Sequence, residues 1–266
     1  MARSTTRSFI PIPSGVMHVA QAGAGAPIVL LHQTPRSWDE FRDVVPLLGE
    51  RFHAIAVDTI GFGDSSRPDW PSSSDTIEQW AKATVEVLDA LGLERATIVG
   101  HHTGSVTAME IAASYPDRID KLVLSAPAFV DDHHRELYGE KPPVDDVEHV
   151  LDGSHLVALW SMRAPFYPKS VDLLDRFVVD AVKAGERAGG GHLTVARYDM
   201  ESKIPLIKAP TLIISPTEDP FAAAEIVKLR PHLPEATVVE LPGGMIPAPD
   251  QMPAEFAALV AEFVGG

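Results

Sequence analysis

The sequence predicts an α/β fold, a mostly parallel sheet covered on both faces by helices. Two observations carry that prediction. Short apolar runs of strand length recur at 28–31, 54–57, 96–99 and 122–124 and in the stretches that open at 211 and 237. Between them lie stretches with apolar residues at helical spacing, such as 76–91 and 105–113. Strands separated by helices read as βαβ units, which pair in parallel. At 266 residues the chain is long enough for one such domain with an insertion and a large core.

Composition narrows the function classes by exclusion. A net charge of −15 argues against binding a phosphate backbone. The absence of cysteine removes disulfides, thiolate metal sites and a cysteine nucleophile, and fits a reducing cytoplasm. No apolar run reaches membrane-spanning length, and no apolar signal core stands near the N-terminus. The partner expected is a small molecule, with neither nucleic acid nor membrane; a homodimer stays open.

Each strand-like run ends in a distinctive turn. The run at 28–31 leads into His32-Gln33-Thr34-Pro35, and the run at 54–57 into Asp58 and then Gly61-Phe62-Gly63-Asp64-Ser65. The run at 96–99 leads into Gly100-His101-His102-Thr103-Gly104, where two glycines permit a sharp bend into the next helix. The stretch from 211 ends at Thr217-Glu218-Asp219-Pro220. The stretch from 237 ends at Pro242-Gly243-Gly244-Met245, before a C-terminal helix that starts near Pro253.

These blocks, in this order, resemble the α/β-hydrolase fold superfamily. The resemblance makes His32 to Pro35 the oxyanion loop, with Gln33 where the superfamily writes glycine. It makes Gly100 to Gly104 the nucleophile elbow, whose central seat usually holds serine, aspartate or cysteine and here holds His102. It puts Asp219 in the seat of the triad acid and Met245 in that of the triad histidine. Methionine takes no proton at neutral pH, so a Ser-His-Asp triad is excluded on this reading. The resemblance also implies a core domain formed by 1–128 and 205–266, with a helical cap at 129–204 over the elbow.

The expected chemistry follows from what remains. The positive end of a helix dipole disfavours imidazolium at position 102, which leaves a neutral base. An imidazole on the elbow spans part of the distance to Asp219, so His102 and Asp219 are expected to form a dyad. The oxyanion hole implied by the resemblance is backbone, from the N–H groups of Thr34 and Thr103. Expected pocket residues are His32, Gln33, Trp38, Phe129, Trp160, Arg163, Tyr167 and Met245, with Phe166 and Tyr198 as further aromatic candidates. His32 also reads as a buttress of the oxyanion loop, and Gln33 as a source of an extra side-chain donor.

Other features read as structural. His101 is expected beside the core, Asp131 and Asp132 are expected on the solvated face of the cap, and Gly189-Gly190-Gly191 reads as a loop. A metal site from His101, His102, His133 and His134 is not expected, because adjacent histidines rarely converge on one ion. No cofactor or metal is implied. The leading function is a cofactor-free enzyme that activates water against a small carbonyl substrate. The alternatives are a lyase, isomerase or dehydratase using His102 for proton abstraction, and a non-catalytic ligand-binding protein.

Overall fold

Eight strands form one sheet in the order β1-β2-β4-β3-β5-β6-β7-β8 in the computed structural model, which describes residues 4–140 and 144–266. They are β1 (Thr6–Ile12), β2 (Gly15–Gly23), β3 (Pro27–Leu31), β4 (His53–Val57), β5 (Ala96–His101), β6 (Ile119–Ser125), β7 (Thr211–Pro216) and β8 (Thr237–Leu241). From β4 across to β8 every pairing is parallel, whereas β1 and β2 join antiparallel at one edge. The predicted α/β class holds. The edge hairpin adds two strands that the apolar runs do not announce, because β1 is half exposed and carries Pro11 and Arg7.

Helices cover both faces. Those flanking the strands are α1 (Val44–Leu48), α2 (Ile77–Ala90) and α3 (Thr103–Ser114). The stretch between β6 and β7 runs through α4 (Asp132–Tyr138), α5 (Ser154–Arg163), α6 (Val171–Ala184), α7 (Arg187–Ala196) and α8 (Met200–Lys203). The chain closes with α9 (Ala222–Leu229), α10 (Ala248–Gln251) and α11 (Pro253–Gly265). α2 starts at a capping box in which Thr76 accepts from the Gln79 amide and Gln79 accepts from the Thr76 amide. One apolar cluster packs α2 and α3 on one sheet face, and a second packs α1 and α11 on the other.

The strand order creates the site. Between β3 and β5 the direction of winding reverses, and ligands in open parallel sheets bind at the carboxyl ends beside such a reversal. Leu31 pairs with Gly100 across that seam, so the loop after β3 and the turn after β5 emerge side by side. A Cβ on Gly104 would lie 2.0 Å from the Leu31 carbonyl oxygen, and one on Gly100 would lie 2.2 Å from the Gly104 oxygen. Both glycines are therefore required by close backbone approach.

The glycine run at 189–191 corrects the loop expectation. It lies inside α7, fully buried. A Cβ on Gly191 would fall 2.5 Å from Thr34 Oγ1, and one on Gly190 would fall 3.1 Å from Ser72 Cβ. Glycine costs helix stability, but here it lets α7 press its backbone onto the oxyanion loop.

Candidate active site

His102 occupies the turn between β5 and α3 with φ 46° and ψ −114°, a strained conformation for a residue with a side chain. The turn is fixed from both sides, since the His102 amide donates to Ser125 O at 2.9 Å and the Ser105 amide donates to His102 O at 2.8 Å. That geometry projects the imidazole away from the sheet, and 20% of its side chain remains exposed. Its Nε2 lies 2.7 Å from Asp219 Oδ2. The ring N–H does not point straight along this contact, and neither atom has another hydrogen-bond partner among the described residues.

Asp219 is held by the loop after β7. Its Oδ1 accepts from the amides of Phe221 at 2.9 Å and Ala222 at 3.2 Å, so the carboxylate plane is set before His102 is considered. Burial pushes this carboxyl up, but the neighbouring His102 and the Phe221 amide overcome that and pull it down to about 2. It is ionised throughout the neutral range.

His101 turns the other way, into the core. Its Nδ1 pairs with Ser125 Oγ at 2.9 Å and its Nε2 with the Ile246 carbonyl at 2.7 Å. Since a carbonyl only accepts, Nε2 carries the proton and the Ser125 hydroxyl donates to Nδ1. Burial, followed by the charge of His102, lowers His101 to about 3. This neutral ring meets His102 edge to face at 4.7 Å and ties the loop after β8 to the elbow.

Met245 opens that loop. The Glu218 amide donates to Gly244 O at 2.8 Å, which sets residues 244 and 245 beside the Asp219 turn. The Met245 amide itself donates to Gln251 Oε1 at 2.8 Å.

The loop after β3, expected to form the oxyanion hole, is braced by buried polar groups. His32 accepts the Thr59 amide on Nε2 at 3.0 Å and so donates from Nδ1 to Gln33 O at 2.8 Å, leaving no free nitrogen for a ligand. Burial lowers its pKa and keeps it neutral. Gln33 donates its backbone N–H to Glu40 Oε2 at 2.9 Å and its side-chain amide to Glu40 Oε1 at 2.5 Å. The extra donor expected from Gln33 is therefore spent inside the loop. Thr34 and Thr103 keep backbone N–H groups that no acceptor among the described residues takes.

The remaining expected pocket residues divide. Tyr167 is buried in a cap cluster with Leu159, Phe177 and Ile246, and Trp160 packs against the same cluster. Phe166 meets Phe221, two residues from Asp219, at 5.7 Å. Phe129 stacks on His232 at 5.0 Å in the main core. Tyr198 donates its hydroxyl to Glu110 Oε2 at 2.7 Å, joining cap to core. Trp38 sits with the edge hairpin, its ring 5.0 Å under the Arg7 guanidinium and 6.1 Å from His18. Arg163 is buried with its fork on Asp145, whose Oδ1 accepts from Nε at 2.9 Å, so its charge is already matched.

A buried charge network around the loop has no signal in the sequence. Arg36 donates to Asp180 of α6 at 2.9 Å and to Asp250 of α10 at 2.5 Å, across 144 and 214 residues of chain. Arg176 of α6 donates to Asp250 at 2.6 Å and from Nε to Asp39 at 2.6 Å. The loop after β3, α6 and α10 thus share one set of ion pairs. Among the described residues, His18, Asp58 and Asp64 stand at metal-like spacing. Their atoms serve one another and Arg7, which donates to His18 Nε2 at 2.9 Å and to Asp64 at 2.5 Å.

Comparison with known proteins bears on the fold that carries this site. The alpha/beta hydrolase fold family matches residues 26–153. A soluble epoxide hydrolase of Corynebacterium sp. is 37% identical over 108 residues, 41% of this chain and 37% of that protein. A 2-hydroxy-6-oxo-2,4-heptadienoate hydrolase of Pseudomonas putida is 32% identical over 137 residues, 49% of each chain. The chain thus matches less than half the length of these two relatives. Haloalkane dehalogenase 2 of Mycobacterium tuberculosis is 27% identical over 267 residues, 94% of this chain and 92% of that protein. Among solved structures, the epoxide hydrolase VrEH1 from Vigna radiata superposes with a TM-score of 0.80 over 98% of both chains, at 19% identity. Sequence matches and backbone course lead to one conclusion: the chain has the α/β-hydrolase fold.

Proposed function

We propose that this protein is a cofactor-free hydrolase of small organic carbonyl-type substrates, in which His102, oriented by Asp219, acts as the general base. The observation that carries the reading is the 2.7 Å approach of His102 Nε2 to Asp219 Oδ2 from the strained elbow. An ionised carboxylate beside Nε2 keeps the proton on that nitrogen, so the free lone pair is on Nδ1. Nδ1 takes a proton from water as the water oxygen attacks the substrate carbon. The N–H groups of Thr34 and Thr103 hold the carbonyl oxygen as it gains charge. Since histidine has replaced the nucleophile, water attacks directly and no acyl-enzyme forms.

The relatives support hydrolysis through their names alone: an epoxide hydrolase, an oxo-dienoate hydrolase and a haloalkane dehalogenase. Phe166 of the proposed cap and Phe221 of the loop after β7 make an apolar contact two residues from Asp219. The matched charge of Arg163 points to a substrate held by shape rather than by a free guanidinium.

The test is a single-turnover reaction in ¹⁸O-water across a panel of esters, lactones, β-diketones and epoxides. The heavy oxygen is expected in the product of the first turnover, with intact protein mass unchanged. Label in the protein, or an unlabelled rearranged product, overturns the hydrolytic reading; the latter outcome identifies proton abstraction instead.

A further inference from the structure

Among the buried titratable groups that the mechanism above leaves unused is Glu40, a carboxylate that contacts the loop after β3. Glu40 is 0% exposed and spends both carboxylate oxygens on one residue, taking the backbone N–H of Gln33 at 2.9 Å and its side-chain N–H at 2.5 Å. The Gln33 carbonyl is also occupied, since it accepts from His32 Nδ1 at 2.8 Å and from the Arg36 amide at 2.8 Å. With N–H, C=O and side chain all engaged, Gln33 has one orientation, and the peptide that follows it carries the Thr34 N–H. We infer that Glu40 is a positioning residue for the oxyanion hole: its carboxylate holds Gln33 so that the Thr34 N–H faces the His102 site, and its protonation loosens that hold. The inference rests on the proposed role of Thr34 in binding the carbonyl oxygen.

The chemistry sets the direction. A carboxylate accepts two N–H bonds at once, one on each charged oxygen, whereas protonation removes the charge, makes one oxygen a far weaker acceptor and adds an O–H that faces a donor. Burial pushes Glu40 up to about 7, against which Arg36 pulls down and Asp250 adds to the rise. The clamp is therefore complete above pH 7 and loosens as pH falls through that value. The charged and titratable groups around it are Arg36 and Asp39 on its own loop, Asp180 and Arg176 from α6, Asp250 from α10, and Tyr167 from the cap. Asp180 and Asp250 are paired with Arg36, and Arg176 bridges Asp39 and Asp250, which leaves Glu40 with amides as its hydrogen-bond donors and Arg36 Nη1 at the longer distance of 4.0 Å.

The experiment reads the clamp without needing a substrate. In ¹⁵N-labelled protein, the Gln33 side-chain amide and the Thr34 backbone amide are expected to titrate together, with a midpoint near pH 7, and both are expected to stop titrating in Glu40→Gln. A Thr34 amide that does not follow Gln33, or a titration that survives in Glu40→Gln, overturns the inference. The wild-type measurement is decisive even where the variant fails to fold. A second arm follows turnover of p-nitrophenyl acetate, where Glu40→Gln is expected to lower kcat at pH 8 roughly 10- to 100-fold with KM unchanged. Glu40→Gln is also expected to remove the inflection near pH 7 from the kcat profile. A kcat at pH 8 equal to wild type overturns the positioning role. Turnover that survives in His102→Ala overturns the proposed function and leaves the amide titration as the judge of the clamp.

Discussion

Replacing Asp219 with asparagine tests the proposed base through its tautomer. Asp219 divides its work, with Oδ1 on the amides of Phe221 and Ala222 and Oδ2 facing His102 Nε2 at 2.7 Å. An asparagine that keeps its oxygen on the two amides turns its NH₂ toward a ring N–H, and two donors then face each other. The imidazole escapes by moving its proton to Nδ1, which removes the lone pair that accepts the proton from water. The opposite flip keeps the tautomer but strands two backbone amides, at about 1–3 kcal/mol for each buried donor left unmade. Loss of charge adds to either outcome. At 2.7 Å and an effective dielectric of about 20, a carboxylate favours a fully formed imidazolium by at most about 6 kcal/mol. Exposure of the ring reduces this, and in a serine-protease triad the same substitution lowers kcat about 10⁴-fold. Since the imidazole itself stays in place, the expected result is a kcat lower by roughly 10- to 10³-fold, less than in His102→Ala, with KM nearly unchanged, measured on the substrate found by the panel.

The same variant has a signature in acid. The Asp219 carboxyl lies at about 2 in the folded protein against 3.8 for an ordinary one, because the contact with His102 outweighs burial. A depressed carboxyl stabilises the fold above its unfolded pKa and loses that contribution as pH falls through its folded pKa. Between pH 4 and pH 2 the wild type should therefore lose roughly 2 kcal/mol that the variant never had. Urea titrations at both pH values measure the difference. A variant with wild-type kcat and parallel acid stability refutes the dyad.

Three further substitutions probe neighbouring parts of the site. His102→Ala should lower kcat roughly 10²- to 10⁴-fold, while His102→Gly should lose the same activity and gain about 1–3 kcal/mol of stability by releasing the strain at φ 46°; equal melting temperatures for the two variants refute the strain argument. Gly104→Ala would place a Cβ 2.0 Å from the Leu31 oxygen and 2.9 Å from the His32 oxygen. Backbone rather than a flexible side chain must then move, so a loss of about 3 kcal/mol or more is expected in urea unfolding. Arg36→Met leaves Asp180 without its buried cation and Asp250 with Arg176 alone, and unfolding at pH 7 should show a loss of about 3–5 kcal/mol.

What the sequence revealed and what it hid follow from chain distance. The elbow was legible because Gly100 and Gly104 lie four residues apart on the segment they bend, with an apolar strand before and an apolar helix after. Thr76 as a helix start was legible for the same reason, its capping partner being Gln79. Asp219 was found through the resemblance, whereas its 2.7 Å approach to His102 is a tertiary fact. Glu40, Asp180 and Asp250 look in sequence like ordinary surface acids, and only folding brings them to Arg36. The glycines of α7 misled for a related reason. Three adjacent glycines break helices locally, and the compensation is contact with Thr34, more than 150 residues earlier in the chain.

Moving the base onto the elbow changes more than one residue's identity. The resemblance puts a triad histidine on the loop after β8, where this chain has Met245, and the next residue's carbonyl, Ile246 O, accepts from His101. The ring that remains stands on the elbow itself, where it presents Nε2 to Asp219 and leaves Nδ1 for the reaction. Because His102 and Thr103 are adjacent, the proposed base and one oxyanion donor share a single strained turn, and the other donor sits on Thr34 under α7 and the Glu40 clamp. Base and oxyanion hole are then fixed relative to each other by backbone, and the only reactant free to move between them is water. A site built this way favours substrates whose carbonyl is reactive enough for water itself, which is why the substrate panel includes lactones and β-diketones beside simple esters.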